Sequence, residues 1–224
     1  FFDLDDTLWA FSLNARDTYE EMYWKYEYNR FFDSFEHYYS LYHHRNLELW
    51  AEYADGKVTK EELNRQRYLY PLKAVGICDS ALAKAYEKDA LAAIPTKSKL
   101  MPHAREVLDY LSYKYNLYIL SNGFKELQSH KMHSSGIDKY FKKIVLSDDI
   151  GVLKPWPEIF YFALSATQSE LKDSLMIGDS WENDIAGAAG VGMHQVFYNL
   201  SGRMDLPFMP TYQISDLKEL LDLL

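Results

Sequence analysis

Two carboxylates, Asp3 and Asp5, are separated by one residue and follow the apolar pair Phe1 and Phe2. Successive side chains of a strand alternate between faces, so both carboxylates should project to the same side. Like charges held this close raise the pKa of one carboxyl group unless a cation neutralises the pair. A divalent metal site or a proton-sharing catalytic pair explains the spacing. A polar turn or a helix N-cap is the structural alternative, because Asp and Thr favour both.

Unusual polar residues also follow three later apolar runs that we predict to be strands. Taken one at a time, the three groups of polar residues have structural explanations. The first fits a turn, the second a surface lysine, and the third a helix N-cap with a second carboxylate near the positive end of the helix dipole. Together they are more informative, because the carboxyl ends of the strands of an open α/β sheet meet at one edge, where ligands bind. We therefore expect a site for a phosphate and a metal ion. Its further members are Ser121, Asn122, Gly123, Lys154, Asp179 and Asp184.

The second half of the chain alternates predicted helices with short apolar strands. Strands are predicted at 117–120, 144–146, 174–177, 195–197 and 212–214, and helices at 104–113, 125–134, 158–167 and 183–189. This alternation predicts an α/β fold with a doubly wound parallel sheet, a Rossmann-like core covered by helices on both faces. The strand that carries Asp3 must join this sheet.

An inserted α-helical bundle cap is predicted between the first strand and the rest of the core. The predicted domains are residues 1–11 with 98–224 for the core and 12–97 for the cap, with hinges near 9–13 and 95–101. Apolar residues between Phe35 and Tyr53 recur at helical spacing, and Thr59 with Glu62 forms a capping box for the next helix. Aromatic residues crowd the stretch 19–35, as either a stacking surface for a nucleobase or the core of the bundle.

Composition limits the class of protein. The 224 residues are 48% hydrophobic and 25% charged, which is typical of a globular protein with a proper core. A net charge of -9 argues against a nucleic-acid polymer as partner. The single cysteine, Cys78, excludes an internal disulfide and favours a cytoplasmic location, and no apolar run is long enough to cross a membrane. Because the chain opens inside an apolar strand without Met, we expect further residues before Phe1.

The motifs and their order resemble the haloacid dehalogenase-like hydrolase superfamily over essentially the full length of the chain. The run Asp3-Leu4-Asp5-Asp6-Thr7 resembles the first motif of that family. Ser121 resembles the second motif, Lys154 the third, and Gly178-Asp179 through Asp184 the fourth. The helical insertion after the first motif resembles the bundle-type cap of the family.

The resemblance implies a role for each motif residue. Asp3 would be the nucleophile that forms an aspartyl-phosphate, and Asp5 the acid that protonates the leaving oxygen and then the base that activates water. Mg²⁺ would be held by Asp3, the backbone carbonyl of Asp5 and Asp179, with Asp184 in the outer shell. The phosphoryl oxygens would be bound by Ser121 and the backbone of Asn122 and Gly123. Lys154 would balance the charge of the nucleophile and the phosphate.

Asp5 favours phosphate ester hydrolysis over dehalogenation, because a halide leaves without a proton and dehalogenases of the family lack a carboxylate there. The substrate implied is a small phosphorylated metabolite, and the motif style is similar to the branch with pyrimidine 5′-nucleotidases. A sugar-phosphate phosphatase, or a phosphotransferase similar to β-phosphoglucomutase, is the alternative. The non-enzymatic alternative is a phosphoacceptor domain or a binding module of the same fold. The predicted state is a monomer or a small homo-oligomer.

Overall fold

A computed structural model describes residues 1–224, which divide into two compact units. The first unit contains residues 1–12 and 97–224, and the second contains residues 13–96. The first is an α/β unit built on a parallel sheet, and the second is entirely helical.

The sheet of the α/β unit is completed by the first residues of the chain. Strand β1 (Leu117–Ser121) pairs in parallel with β2 (Phe141–Leu146), and β3 (Leu175–Gly178), β4 (His194–Tyr198) and β5 (Tyr212–Ile214) form a second parallel set. Phe2 forms parallel bridges to Ile119 in β1 and to Ile177 in β3, so it joins the two sets. The predicted first strand does join the sheet, but as this single bridging residue rather than as an extended strand.

Buried side chains lie on both faces of the sheet. On one face, Phe1, Leu120, Val145 and Met176 pack in one cluster with Ile159 and other residues of the following helices. Phe2 and Ile119, adjacent in sequence to members of that cluster, are 1% and 0% exposed, so the opposite face is covered too. Side chains alternate along a strand, and burial of consecutive residues therefore shows a doubly wound sheet.

Helices connect most strands of the α/β unit, except that β4 and β5 are joined without a helix and the last helix follows β5. The helices are α5 (Ala104–Lys114), α6 (Lys125–Ser135), α7 (Pro157–Thr167), α8 (Gly187–Gly190) and α9 (Leu220–Leu223). One helix differs from its prediction at 183–189. The observed helix begins two residues earlier, and its first part, Trp181–Ala186, is a π-helix. A π-helical turn holds one residue more than an α-helical turn, and such turns are frequent at functional sites.

The second unit contains four long helices. These are α1 (Phe11–Lys25), whose first residues belong to the α/β unit, α2 (Phe35–Ala54), α3 (Lys60–Ala74) and α4 (Ser80–Ala93). Helix α3 begins with the predicted capping box: the Glu62 backbone N–H donates to the Thr59 hydroxyl, and the Thr59 N–H donates to the Glu62 carboxylate. No helix of the structure is both long and apolar enough to pass through a membrane.

Tyrosine rings form the core of this helical unit. The ring centroids of Tyr19 and Tyr42 lie 4.5 Å apart, and those of Tyr28 and Tyr86 lie 4.9 Å apart. The aromatic stretch 19–35 contributes Tyr19, Tyr23, Tyr28, Phe32 and Phe35 to the buried set, each at most 7% exposed. These rings have no open face for a nucleobase, so the core interpretation is the correct one for them.

Candidate active site

A tight turn after Phe2 positions the two carboxylates. The backbone N–H groups of Leu8 and Trp9 both donate to the Leu4 carbonyl, and the chain thus reverses directly after Asp3. Asp6 adopts a left-handed φ of 59° in this turn, and its carboxylate accepts hydrogen bonds from the backbone N–H and hydroxyl of Ser12. Asp6 therefore closes the turn and caps the start of α1, the structural role that Asp favours in such a position.

Lys154 lies at the centre of the first cluster of charges. Its Nζ is 2.6 Å from Oδ1 of Asp3, 2.7 Å from Oδ1 of Asp184 and 2.7 Å from the carbonyl oxygen of Leu120. The Lys154 side chain is 2% exposed, so these contacts are shielded from solvent. Three acceptors match the three hydrogens of an ammonium group. In this arrangement Lys154 neutralises and orients carboxylates, and a direct hydrogen bond to phosphate would replace one of the three.

Asn122 fixes the backbone of Lys154. The Asn122 Nδ2 donates to the Lys154 carbonyl at 2.9 Å, and the Lys154 N–H donates to Asn122 Oδ1 at 2.7 Å. The side chain of Asn122 is thereby used for positioning, and only its backbone remains for the predicted contact with phosphate. Helix α8 packs against the same loop. A Cβ on Gly187, its first residue, would lie 3.0 Å from Cα of Pro155, so glycine allows the helix to approach the backbone next to Lys154.

Asp179 and Asp184 complete the cluster from the end of β3. The Thr7 hydroxyl donates to Oδ1 of Asp179 at 3.0 Å, and the Asp179 N–H donates to the same hydroxyl at 3.1 Å. Asp184 accepts the Ser180 N–H through Oδ2 and is 1% exposed. A Cβ on Gly178 would lie 2.2 Å from Oδ2 of Asp184, so this position requires glycine.

The cluster carries an excess of negative charge. One carboxylate oxygen from each of Asp3, Asp179 and Asp184 lies within 4.8 Å of the others. Three carboxylates and one ammonium leave two net negative charges. Burial raises the pKa of Asp3 well above its usual value, which Lys154 opposes and Asp184 reinforces. Burial, followed by the charge of Asp184, raises the pKa of Asp179 to about 7. A hard divalent cation with oxygen ligands fits both the donor set and the charge.

Asp5 belongs to a second cluster, which contains two residues, Gln128 and Lys131, that were not predicted from the sequence motifs. Lys131 Nζ lies 2.7 Å from Oδ1 and 2.9 Å from Oδ2 of Asp5. Gln128 Nε2 donates to Oδ2 of Asp5 at 3.0 Å and to the Ser121 hydroxyl at 2.7 Å. The Asp5 carboxylate is therefore outside the group of acidic oxygens around Lys154, and the predicted metal contact through its backbone carbonyl stays a prediction.

Ser121 connects this second cluster with the Gly123 turn. Its Oγ accepts from Gln128 Nε2 and, at 3.1 Å, from the Gly123 N–H. A hydroxyl has one hydrogen and two acceptor positions, so the Ser121 hydrogen remains available to a ligand oxygen. Ser121 also follows Leu120, whose carbonyl binds Lys154, which places the two clusters side by side at the end of β1.

A signal for Gln128 and Lys131 was present in the helix pattern. The face of α6 that is buried contains Gln128, Lys131, Met132 and Ser135, at the spacing of three and four residues that places side chains on one face. Polar residues on the buried face of a helix require partners. That the partner is Asp5, more than a hundred residues away, depends on the tertiary structure.

The geometry brings all eight predicted residues to one edge of the sheet. Comparisons with known proteins identify the family of the chain. The sequence model of the haloacid dehalogenase-like hydrolases matches residues 1–192. Over the full chain, the sequence is 30% identical to the pyrimidine 5′-nucleotidase YjjG of Escherichia coli, with 96% of that protein covered. Over 44% of the chain it is 39% identical to a glyceraldehyde 3-phosphate phosphatase of Pyrococcus abyssi, with 42% of that protein covered.

Among solved structures, the fold is similar to that of YfnB from Bacillus subtilis, described as an HAD-hydrolase and determined bound to magnesium. The TM-score is 0.87 and the identity 28%, with 99% of this chain and 96% of that chain covered. The sequence model, the full-length relative and this structure agree with one another. The chain belongs to the haloacid dehalogenase-like hydrolase family.

Proposed function

We propose that this hydrolase is a Mg²⁺-dependent phosphatase that cleaves nucleoside 5′-monophosphates through an aspartyl-phosphate intermediate. The observation that carries the proposal is the contact between Lys154 and Asp3 inside a cluster of three carboxylates. A further carboxylate, that of Asp5, lies two residues after Asp3 in the chain. Phosphoryl transfer requires an aligned nucleophile, cations where negative charge spreads, and a proton for the leaving oxygen.

Asp3 begins the reaction. It accepts the Lys154 hydrogen bond through Oδ1, which leaves Oδ2 to attack phosphorus. The new bond joins Oδ2 to phosphorus while the bond between phosphorus and the ester oxygen breaks. Burial raises the pKa of Asp3, and the contact with Lys154 opposes this shift and so favours the ionised form of the nucleophile.

Asp5 supplies and recovers the proton. In its protonated form it donates to the departing ester oxygen, which leaves as an alcohol. It then takes a proton from the water that attacks the aspartyl-phosphate, and inorganic phosphate and the Asp3 carboxylate are released. The Ser121 hydroxyl and the backbone N–H groups of Asn122 and Gly123 are the donors proposed for the phosphoryl oxygens.

Asp3, Asp179 and the backbone carbonyl of Asp5 would hold the magnesium ion, with Asp184 in its outer shell, and the ion would supply positive charge to the phosphoryl oxygens when bound. The choice of Mg²⁺ rests on the all-oxygen donor set and on the two excess negative charges of the cluster. Thr7 fixes the Asp179 carboxylate, and Ser180 fixes that of Asp184, so that the ligands are oriented before an ion arrives.

The substrate class is proposed from similarity over the whole chain. A relative that matches over the full length is a pyrimidine 5′-nucleotidase, whereas the glyceraldehyde 3-phosphate phosphatase of Pyrococcus abyssi matches less than half of the chain. The fold also occurs in dehalogenases, and Asp5 distinguishes the two reactions, because an alkoxide leaving group needs a proton and a halide does not.

A screen for phosphate release tests the proposal. Nucleoside monophosphates, sugar phosphates and an aryl phosphate are assayed with Mg²⁺ and with EDTA, and Asp3→Asn serves as the inactive reference. We expect Mg²⁺-dependent release that is highest with pyrimidine nucleoside monophosphates and absent in Asp3→Asn. Retained activity in Asp3→Asn would refute the nucleophile. Preference for sugar phosphates would refute the substrate class alone.

A further inference from the structure

Helix α6 presents two buried polar side chains, Gln128 and Lys131, to the Asp5 carboxylate. The Gln128 side chain is fully buried and Lys131 is 3% exposed. Lys131 contacts both oxygens of Asp5, and Gln128 donates to one of them. The Asp5 side chain is still 27% exposed, so the carboxylate is held from the protein side and open on another.

The ammonium of Lys131 is itself fixed in place. It lies 4.9 Å from the centroid of the Trp9 ring and 5.1 Å from that of the Phe11 ring, distances at which a cation is attracted to an aromatic face. The Trp9 ring is fully buried, and its Nε1 donates to the Lys97 carbonyl at 3.2 Å. A long, flexible side chain is thus confined to one position, against Asp5.

The amide of Gln128 joins Asp5 to Ser121. An amide nitrogen carries two hydrogens, and Nε2 of Gln128 contacts the Asp5 carboxylate at 3.0 Å and the Ser121 hydroxyl at 2.7 Å. One planar group therefore sets the separation between the proposed acid and a proposed phosphate ligand. Space for this amide exists because residue 123 is glycine, where a Cβ would lie 2.0 Å from Gln128 Nε2.

We propose that Gln128 and Lys131 are positioning residues that hold the Asp5 carboxyl group in line with the leaving oxygen of the substrate. This inference rests on the proposed function, since it assigns a purpose to two residues only if Asp5 transfers the proton. Three contacts from two side chains restrict rotation of the Asp5 carboxylate. Proton transfer requires the donor within hydrogen-bond distance of the oxygen, so a loosened Asp5 loses rate in this step.

The leaving group of the substrate separates this role from a purely structural one. An alkyl phosphate, such as a nucleoside monophosphate, releases an alkoxide that must be protonated, whereas p-nitrophenyl phosphate releases a stable phenolate. The parameter kcat/KM covers the steps up to formation of the aspartyl-phosphate, so the later hydrolysis, common to both substrates, does not enter. The ratio of kcat/KM between the substrates is also independent of the fraction of folded enzyme.

The experiment measures this ratio in Lys131→Met and Gln128→Leu. We expect kcat/KM for the nucleoside monophosphate to fall about 10- to 100-fold and that for p-nitrophenyl phosphate to fall less than about threefold. Lys131→Arg should recover most of the ratio, because a guanidinium can also contact both carboxylate oxygens. The matched control is Lys125→Met on the same helix, whose ammonium pairs with Asp149 instead, and it should leave both values unchanged.

Asp5→Asn decides what a negative result means. Suppose that Asp5→Asn shows the selective loss, but Lys131→Met and Gln128→Leu lower kcat/KM equally for both substrates or leave it unchanged for both. The positioning role is then refuted and the proposed function stands. If Asp5→Asn itself shows no selectivity, the acid role of Asp5 fails, and the inference fails with it. In the Asp5→Asn background Lys131→Met should change the ratio no further, and a further selective loss would also refute the inference.

Discussion

The Lys154 ammonium lies 2.6 Å from the Asp3 carboxylate, and the two side chains are 2% and 11% exposed. The residues are 151 positions apart in the chain. Burial by itself favours the neutral form of a carboxylic acid, and this contact opposes that effect, so it favours the ionised form that the proposed nucleophile needs in a shielded site. Asp184 contacts the same ammonium at 2.7 Å. The stability of the α/β unit should therefore be sensitive to substitution of Asp3, Lys154 or Asp184.

Lys154→Met should destabilise the protein as well as inactivate it. It removes the only cation in contact with Asp3 and Asp184, and loss of one partner from a buried ion pair typically costs about 3–5 kcal/mol. Urea unfolding in EDTA measures the change. Asp184→Asn in the Lys154→Met background should recover part of the loss, because it removes one unpaired charge. A single variant as stable as the wild type would contradict the structural role given to Lys154.

Asp179 should make stability depend on pH and metal together. Its pKa is about 7 in the folded protein, from burial and then the charge of Asp184. The unfolded pKa is about 3.9, so the protonated form favours folding, and this stability is lost in metal-free protein as pH rises from about 4 through 7. Mg²⁺ binds the ionised form, and the increase in Tm on adding Mg²⁺ should therefore be larger at pH 8 than at pH 6.

The control for this pH effect is a pair of variants. Asp179→Asn should raise Tm in EDTA at pH 8, because it removes one negative charge from the cluster, and it should abolish most of the response to Mg²⁺. Asp173→Asn changes an exposed acid outside the cluster and should alter neither value. A Mg²⁺ response that is equal at both pH values would show that the ion does not bind this carboxylate.

Gly123→Ala should displace Gln128. The added methyl group would lie 2.0 Å from Nε2 and 2.4 Å from Cδ of that side chain, which must leave its position between Asp5 and Ser121. We expect the same substrate-selective loss in kcat/KM as in Gln128→Leu, measured with an alkyl and an aryl phosphate. Gly190→Ala is the control, since a Cβ there meets nothing within 4 Å, and activity should be unchanged. Full activity in Gly123→Ala would show that Gln128 does not need its observed position.

Asn122→Ala should act through Lys154. It deletes both hydrogen bonds that hold the Lys154 backbone, and leaving such groups unpaired costs about 1–3 kcal/mol each when they are buried. Urea unfolding should show lower stability, and kcat should fall because the ammonium is no longer aimed at Asp3. Asn116→Ala, at an exposed position, should change neither. Unchanged stability and kcat would imply that the loop holds Lys154 without Asn122.

Much of the arrangement follows from local patterns. Short apolar runs predicted the strands β1 to β5 within a few residues, because the alternation of side chains and the turn residues that end a strand act over few neighbours. The position of Asp3, Lys154 and Asp179 after such runs then predicted their approach, since parallel strands end at one edge. The capping box at Thr59 was equally local.

The partners of individual side chains were decided only by the tertiary structure. Asp6 lies in the acidic motif, but its carboxylate caps the start of a helix. Asn122 uses its side-chain amide to hold the Lys154 backbone rather than a ligand. Lys131 contacts Asp5, although its place in the sequence does not distinguish it from a lysine on the surface of a helix. Hydrogen bonds and ion pairs depend on distances of tenths of an ångström between residues far apart in the chain. Sequence periodicity specifies which face of an element is buried, and the packing of elements determines what each buried polar group meets.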